Sequence, residues 1–538
     1  MGAGDARLRA VVGFADNVLR HGRDTYGSEP TPLLADGLDV DTREPVRWTY
    51  SGTRHRPGAW VVSNLALQQN LFRTLVGLSG LTGDPRFRDA AAAAVAFHFD
   101  QLASPCGLLR WGGHQFVDLR TKTPQGPFMG DVHEFKHTYP FYELLAEVRP
   151  EATARFVRAF WNAHVIDWAT LDMSRHGHYG KPMGALWASR FDEPAAFFEG
   201  SGLTFVNCGS DLVFAAAALY RLSGDAGALA WAKRLDRSYV RARHPRTGLG
   251  VYQYSSPRAR EAAVAGSTLS VYGDRALRQL GPEFGEIARE GNVLDPRRAE
   301  SIYGRHAVIE LGLAEELRQD EFREWALAGL RACASWIYDP ERHVIRPLLA
   351  DGTDLTGFAL RRDGYYGRAG TVFQARRPAA VLLWSLVLGH RLSGDGLLWS
   401  TARAMARGHG LGDIGTAPGE GVRPAAPPDC ADPDALFAVL EMYATVPHPA
   451  YLELARAIGD NILAQRFHAG YFLPSPAHAH ARFDAVEPLA LLALEGVLRG
   501  RPADVPPYRT GKGFLDGYVD DRVRTTDERA IWSRLRTA

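Results

Sequence analysis

The residues able to do chemistry crowd into one part of this chain. Trp111-Gly112-Gly113-His114 comes first, then His133-Glu134-Phe135-Lys136-His137-Thr138-Tyr139, then Arg175-His176-Gly177-His178-Tyr179-Gly180-Lys181. Two imidazoles and a carboxylate suit a borderline divalent ion and leave coordination positions open for water or a ligand. His114, Glu134 and His176 make up such a set, and Gly112-Gly113 lets the backbone approach it closely. Glu134 is expected to open a short helix, and His176 to lie in a glycine-flanked loop. Spacing alone does not single the three out, because they sit on separate elements. Taken singly, each also fits a satisfied polar residue at a helix end.

His133-Glu134-Phe135-Lys136-His137 also matches HExxH, the two-histidine helix of zinc proteases. Local chemistry argues against a protease helix. Lys136 puts a charge inside the motif, and Pro140 removes a backbone donor one turn on and breaks the helix.

The elements that must position these groups are helical. Residues 6–21 carry Leu8, Val11, Val12, Phe14, Ala15, Val18 and Leu19 at helical spacing, and 22–50 read as loop. From Asn64 a unit of helix, short turn and helix recurs. Asn64–Leu81 and Arg86–Leu102 flank Thr82-Gly83-Asp84-Pro85, and similar units turn at Ser223-Gly224-Asp225, Arg318-Gln319-Asp320, Ser393-Gly394-Asp395 and Val446-Pro447-His448-Pro449. Helix pairs bury one face and must stack on neighbours, as an open solenoid or as a ring. Longer connectors carrying Trp, Tyr, His and Arg favour the ring, where such loops meet around a central funnel. The expected fold is therefore all-α, an (α/α) toroid forming one catalytic domain over 1–538. Residues 1–60 are a helix-and-loop arm, and 502–538 a polar C-terminal extension packed on the outside of the body. The stretch 351–373, with Arg361, Arg362, Tyr365, Tyr366 and Arg368, suits a rim of the funnel, and 408–431 a surface excursion.

Bulk properties limit the partners. The 538-residue chain has 46% hydrophobic and 23% charged residues and a formal charge of +1, which argues against nucleic acid or a membrane surface held by bulk electrostatics. Cys106, Cys208, Cys333 and Cys430 include no CxxC pair and read as reduced residues. No window approaches the roughly 18 apolar residues of a membrane helix, and the N-terminus lacks a signal-like apolar run. The expectation is a cytoplasmic monomer or weak oligomer, secreted or periplasmic if a leader has been removed.

The motifs at 111–114, 133–144 and 175–176, with Asn64-Leu65-Ala66-Leu67-Gln68-Gln69-Asn70 and Leu81-Thr82-Gly83-Asp84-Pro85-Arg86-Phe87, resemble those of the family 2 polysaccharide lyases, the metal-dependent pectate lyases. The resemblance implies a ring of about seven helix pairs and β-elimination from uronate polymers such as polygalacturonate, giving 4,5-unsaturated products. It also implies His114, Glu134 and His176 as ligands of a divalent transition metal, manganese first, with cobalt, nickel or zinc as alternatives. Arg175 would then be the catalytic base. A guanidinium with a pKa above about 12 is a reluctant base, which leaves Lys181 or Tyr179 as substitutes and Arg175 as a carboxylate clamp. The family's second basic side chain has Arg297, Arg298, Arg305 and Lys181 as candidates. Trp111, Lys136, His137, Tyr139, Tyr303, Arg305, Tyr365 and Arg368 are the candidate sugar contacts, aromatics for stacking and cations for carboxylates. Two rivals remain. One is a metal-independent (α/α)-barrel glycoside hydrolase on uronate oligosaccharides, pairing Glu134 with Asp131 or Asp211. The other is a non-catalytic helical scaffold.

Overall fold

The computed structural model describes residues 3–50, 58–126, 132–257, 275–511, 513–518 and 524–536. Fourteen helices of the described residues carry the architecture: α1 (Ala3–His21), α2 (Gln69–Thr82), α3 (Arg86–Leu102), α4 (Tyr142–Val148), α5 (Pro150–His164), α6 (Val206–Ser223), α7 (Ala226–Arg241), α8 (Ala307–Leu317), α9 (Asp320–Ala332), α10 (Ala380–Ser393), α11 (Gly396–Gly408), α12 (Pro433–Thr445), α13 (Pro449–Arg466) and α14 (Glu487–Leu498). Helices α2/α3, α4/α5, α6/α7, α8/α9, α10/α11 and α12/α13 pack as consecutive hairpins. The seventh pair joins the ends of the chain, because α14 packs on α1 and also on α2, closing the ring. It is the all-α toroid of helix pairs that the sequence predicts, and two pairs, α4/α5 and α14/α1, go beyond the units visible as repeats.

The turns inside the hairpins explain why the pairs form. At the end of α6, Gly224 adopts φ 74° and returns its N–H to the Tyr220 carbonyl, and Asp225 then caps α7 by accepting from the Ala228 N–H. Gly394 and Asp395 repeat this between α10 and α11. A left-handed glycine followed at once by an acidic N-cap reverses the chain within two residues. The inner helices are buried on every side. All of Val206–Leu219 in α6 and all of Ala380–Gly389 in α10 are buried, as expected of helices ringed by other helices.

Closure rests on a buried ion pair. Arg7 of α1, 2% exposed, donates from Nε to Glu495 Oε1 of α14 at 2.8 Å and also pairs with Asp460 of α13. Each inner helix follows a long connector and each outer helix a short turn, so the long connectors collect at one end of the ring. There they form small sheets, the largest made of β1 (Arg47–Tyr50), β2 (Gly58–Ser63), β3 (Phe116–Asp118) and β4 (Thr123–Gln125). The stretch after Pro502 departs from the expected outer wrapping. Asp516 N–H bonds to Gly113 O at 2.7 Å and Arg482 to Gly513 O at 2.9 Å, which brings the tail to the mouth of the ring.

Replacing Arg7 by Met would leave the buried Glu495 carboxylate with only the outlying Arg499, at 3.4 Å, as its partner, and such losses cost roughly 3 kcal/mol. Denaturant unfolding of the R7M chain is expected to show that loss. An unchanged midpoint would mean that this pair does not hold the ring shut.

Candidate functional site

Two short strands bring the chemistry-bearing segments together. β5 (Val132–His133) pairs antiparallel with β6 (Gly177–His178), His133 facing Gly177, so Glu134 and His176 leave the ladder side by side. Glu134 therefore continues a strand and does not open a helix, and His133 and His137 share no helical face. His133 Nδ1 instead meets His164 Nε2 at 2.9 Å inside the core, which removes the protease reading.

The third side chain arrives through a glycine pair. Gly112, at φ 111°, is clasped by Asn64, whose amide donates to Gly112 O at 2.8 Å and accepts from Gly112 N–H at 3.0 Å. Gly113 N–H donates to Glu134 O at 2.8 Å. A Cβ on Gly112 would lie 2.5 Å from that same Glu134 oxygen, so the close approach needs glycine. Position 114 follows directly, and its ring drops onto the Glu134 carboxylate.

His114 Nε2 lies 2.9 Å from Glu134 Oε2 and 3.2 Å from His176 Nε2, and His176 Nε2 lies 3.5 Å from Glu134 Oε1. His114 and Glu134 are sealed from solvent and His176 is partly open. Two imidazole nitrogens and a carboxylate thus converge on one point, with potential ligand atoms all within 4.8 Å of one another. The donor set fits a divalent ion with open positions on the His176 side.

Electrostatics set the charge of Glu134 and His176. Burial alone would raise the Glu134 carboxyl, but Lys136 Nζ at 2.9 Å and Arg175 Nη1 at 2.6 Å from Oε1, with the two histidines, hold it well below the carboxylate range. Burial lowers His176, against the pull of Glu134, and leaves the ring neutral. The segment 174–176 is itself anchored, since His164 Nδ1 bonds Ser174 O at 2.8 Å and Ser174 Oγ accepts the His176 N–H at 3.1 Å.

Beside the trio opens a cleft of about 510 Å³ lined by Lys136, His137, Arg175, Arg297, Arg305 and Arg482, with Asn207, Tyr252, Tyr365 and Phe514 among the remaining walls and Glu528 the only carboxylate among the described residues. Five cations against one carboxylate make it an anion site. Its walls come from almost every long connector and from the C-terminal tail. A second cavity of about 480 Å³ shares Tyr252, Arg297 and Tyr365 and extends the groove toward Arg376.

Several expected contacts fall elsewhere. Trp111 is fully buried between Phe135 and Phe156, with ring centroids at 5.3 and 5.1 Å, and Tyr303 is interior, its hydroxyl accepting from Gly250 N–H at 2.8 Å. Tyr139 is also buried, bonding His137 and Ser210, so none of these three rings is a sugar platform. Tyr365, 48% exposed, lines the cleft. Arg368 is exposed on the same loop and does not line the cleft. Lys181 donates to Val165 O at 2.5 Å and faces a different depression with Arg110 and Arg155, and the buried Tyr179 hydroxyl donates to Leu109 O at 3.0 Å. Neither can serve as the alternative base. Arg298 stacks beneath Tyr252, Tyr365 and Tyr366 and donates to Glu290 O and Val293 O, so it supports the wall while Arg297 and Arg305 face the cavity. Of the hydrolase carboxylates, Asp131 lies outside the described residues. Asp211 is spent on the backbone N–H groups of Thr138 and Tyr139. Arg482, Asn207 and Phe514 carried no local sequence signal, because only the closed ring brings them to the cleft.

The family model described as periplasmic pectate lyase matches residues 31–518. A pectate disaccharide-lyase of Dickeya dadantii (strain 3937) is 36% identical over 524 residues, covering 95% of this chain and 93% of that protein. Among solved structures, an α-1,2-mannosidase from Trichoderma reesei aligns with TM-score 0.46 at 9% identity, over 91% of this chain and 93% of that one. The cellobiose 2-epimerase from Spirochaeta thermophila DSM 6192 aligns with TM-score 0.44 at 11% identity, over 92% and 98%.

Gly112→Ala leaves every candidate ligand in place yet forces the His114 segment away from Glu134. The expected result is a stability loss of about 2 kcal/mol by thermal or denaturant unfolding, together with weakened binding of Mn²⁺ in calorimetry. Unaltered Mn²⁺ affinity would show that the glycine contact does not set the trio.

Proposed function

The chain belongs to the periplasmic pectate lyase family, and from that membership we propose how its cleft carries out the reaction. The protein is a polysaccharide lyase that cleaves pectate and oligogalacturonides by β-elimination. The observation that carries the site assignment is the convergence of His114, Glu134 and His176 beside a cleft walled by Lys136, Arg175, Arg297, Arg305 and Arg482. His114, Glu134 and His176 hold a divalent transition metal, manganese first among the candidates. When bound, that ion supplies Lewis acidity that draws charge from a substrate carboxylate and makes the neighbouring C5 proton acidic.

The remaining work belongs to side chains. Arg297, Arg305 and Arg482 bind the other uronate carboxylates, for which guanidinium geometry suits bidentate contact. Tyr365 offers the exposed ring on which a pyranose stacks. Arg175 takes the C5 proton. Its guanidinium faces the cleft beside Lys136, and both contact the Glu134 carboxylate, which fixes Arg175 at the mouth of the trio. Lys136 fixes the Glu134 carboxylate and balances its charge. The cleft is built within one chain, which fits a monomer or weak oligomer.

The expected cytoplasmic location gives way to the periplasm, following the family's description. No helix of the described residues is long and apolar enough to cross a membrane.

Incubation with polygalacturonate is expected to produce ultraviolet absorbance from a double bond conjugated to a carboxylate. A chelator should abolish it and added Mn²⁺ restore it. New reducing ends without that absorbance would instead support hydrolysis. Arg175→Ala is expected to lower kcat about a thousandfold, while Lys136, His114 and His176 still hold Glu134 ionised, so that Mn²⁺ binding persists. Because the base must be unprotonated in the free enzyme, kcat/KM should climb with rising pH, and a profile falling over that range would contradict the assignment.

A further inference from the structure

A chain of buried hydrogen bonds runs from the helical wall into the cleft. Asp236 of α7 accepts at Oδ1 from His306 Nε2 at 2.9 Å, with Glu310 Oε1 of α8 at 3.8 Å from the same nitrogen. His306 Nδ1 lies 2.9 Å from Ser210 Oγ of α6, Ser210 Oγ lies 2.8 Å from Tyr139 OH, and Tyr139 OH lies 2.7 Å from His137 Nδ1. His306 ends a π-helical turn, Glu300–His306, an irregularity concentrated at functional sites. All members are buried, and only His137 lines the cleft.

The loop presenting His137 is held under strain. His137 and Tyr139 both take left-handed conformations, φ 54° and 45°, uncommon for residues with side chains. Asp211 pins the loop by accepting from Thr138 N–H at 2.9 Å and Tyr139 N–H at 2.8 Å, and His137 N–H donates to Asn207 O at 3.1 Å. The other ring nitrogen, His137 Nε2, has no hydrogen-bond partner among the described residues. A buried polar atom left unpaired beside a cleft calls for a ligand atom.

Proton order along the chain follows from its far end. Asp236 and Glu310 against one imidazole favour its doubly protonated form. Burial opposes that charge, but the Glu310 and Asp236 carboxyl groups beside Nε2 raise the ring above its ordinary value. Arg243 lines the same small cavity of about 20 Å³, so positive charge is already supplied there by protein groups and no metal ion is needed. His306 Nδ1–H then donates to Ser210, Ser210 to Tyr139, and Tyr139 to His137 Nδ1. The single proton of His137 is left on Nε2. Burial, Arg305 and His306 keep His137 neutral.

We propose that Ser210 and Tyr139 are positioning residues that carry the proton order of His306 to His137 and hold its Nε2–H toward the cleft, where it donates to an oxygen of the bound uronide. The inference rests on the cleft being the uronide site. It gives a neutral donor among cations, able to fix the orientation of a sugar whose charge the arginines hold.

Two measurements test it on the full chain. In long-range ¹H–¹⁵N spectra of histidine-labelled protein, His137 should show a protonated Nε2 and an unprotonated Nδ1, its signals assigned by their loss in His137→Asn. Tyr139→Phe should let the proton divide between the two nitrogens. Asn tolerates the left-handed backbone and can still accept from Tyr139, but it lacks the donor at the Nε2 position. His137→Asn and Tyr139→Phe should each raise KM for oligogalacturonides about tenfold with kcat changed less than about threefold. A merely structural role would move thermal midpoints but neither the ring's proton nor the KM. A proton on Nδ1 in the parent chain, or an unchanged KM in His137→Asn, overturns the proposal. A protonated Nε2 in a chain without lyase activity would sink the reading of the cleft and leave the relay standing.

Discussion

The site depends on keeping one carboxylate ionised in the interior. Glu134 is 1% exposed, and an isolated charge there would be neutralised or expelled. Four neighbours prevent this: Lys136 and Arg175 on one oxygen, His114 on the other, and His176 alongside. Remove the compensation and the carboxyl protonates, which ends both its ability to bind a cation and its hold on Arg175. The surrounding cations therefore do two jobs. They stabilise the anion that gathers the histidines, and they make the adjacent cleft attractive to acidic sugars.

The ring makes that compensation affordable by separating the tasks of its two ends. Short turns, glycine–aspartate in three of them, close the hairpins at one end, and the long connectors are free to fold over the other. A binding surface assembled from so many connectors needs a rigid scaffold, which the all-buried inner helices and the Arg7–Glu495 closure provide. The C-terminal tail completes the wall, with the Phe514 ring 4.5 Å from Lys136 Nζ and the Gly113 carbonyl tied to Asp516.

Much of this was legible in the chain because it is local. Thr82-Gly83-Asp84-Pro85, Ser223-Gly224-Asp225 and Ser393-Gly394-Asp395 mark helix reversals by turn chemistry, and Gly112-Gly113 before His114 marks a close backbone approach. The trio itself was visible as residue types but not as geometry, since it is the pairing of β5 with β6 that brings Glu134 and His176 together. Aromatic contacts were the least legible. Trp111, Tyr139 and Tyr303 resemble Tyr365 in composition and loop position, yet packing buries the first three and exposes the last. Arg482 and Phe514 reach the cleft only through ring closure, which no short window encodes. Lys181 lies close to Arg175 in sequence but on the far side of the β6 segment, where it bonds Val165.

The most direct test of the central claim is pulsed electron paramagnetic resonance of the Mn²⁺-loaded protein with ¹⁵N-labelled histidine. The account predicts one bound ion per chain with nitrogen couplings from two imidazoles, one lost in His114→Ala and one in His176→Ala. A bound ion that shows no histidine coupling would contradict it.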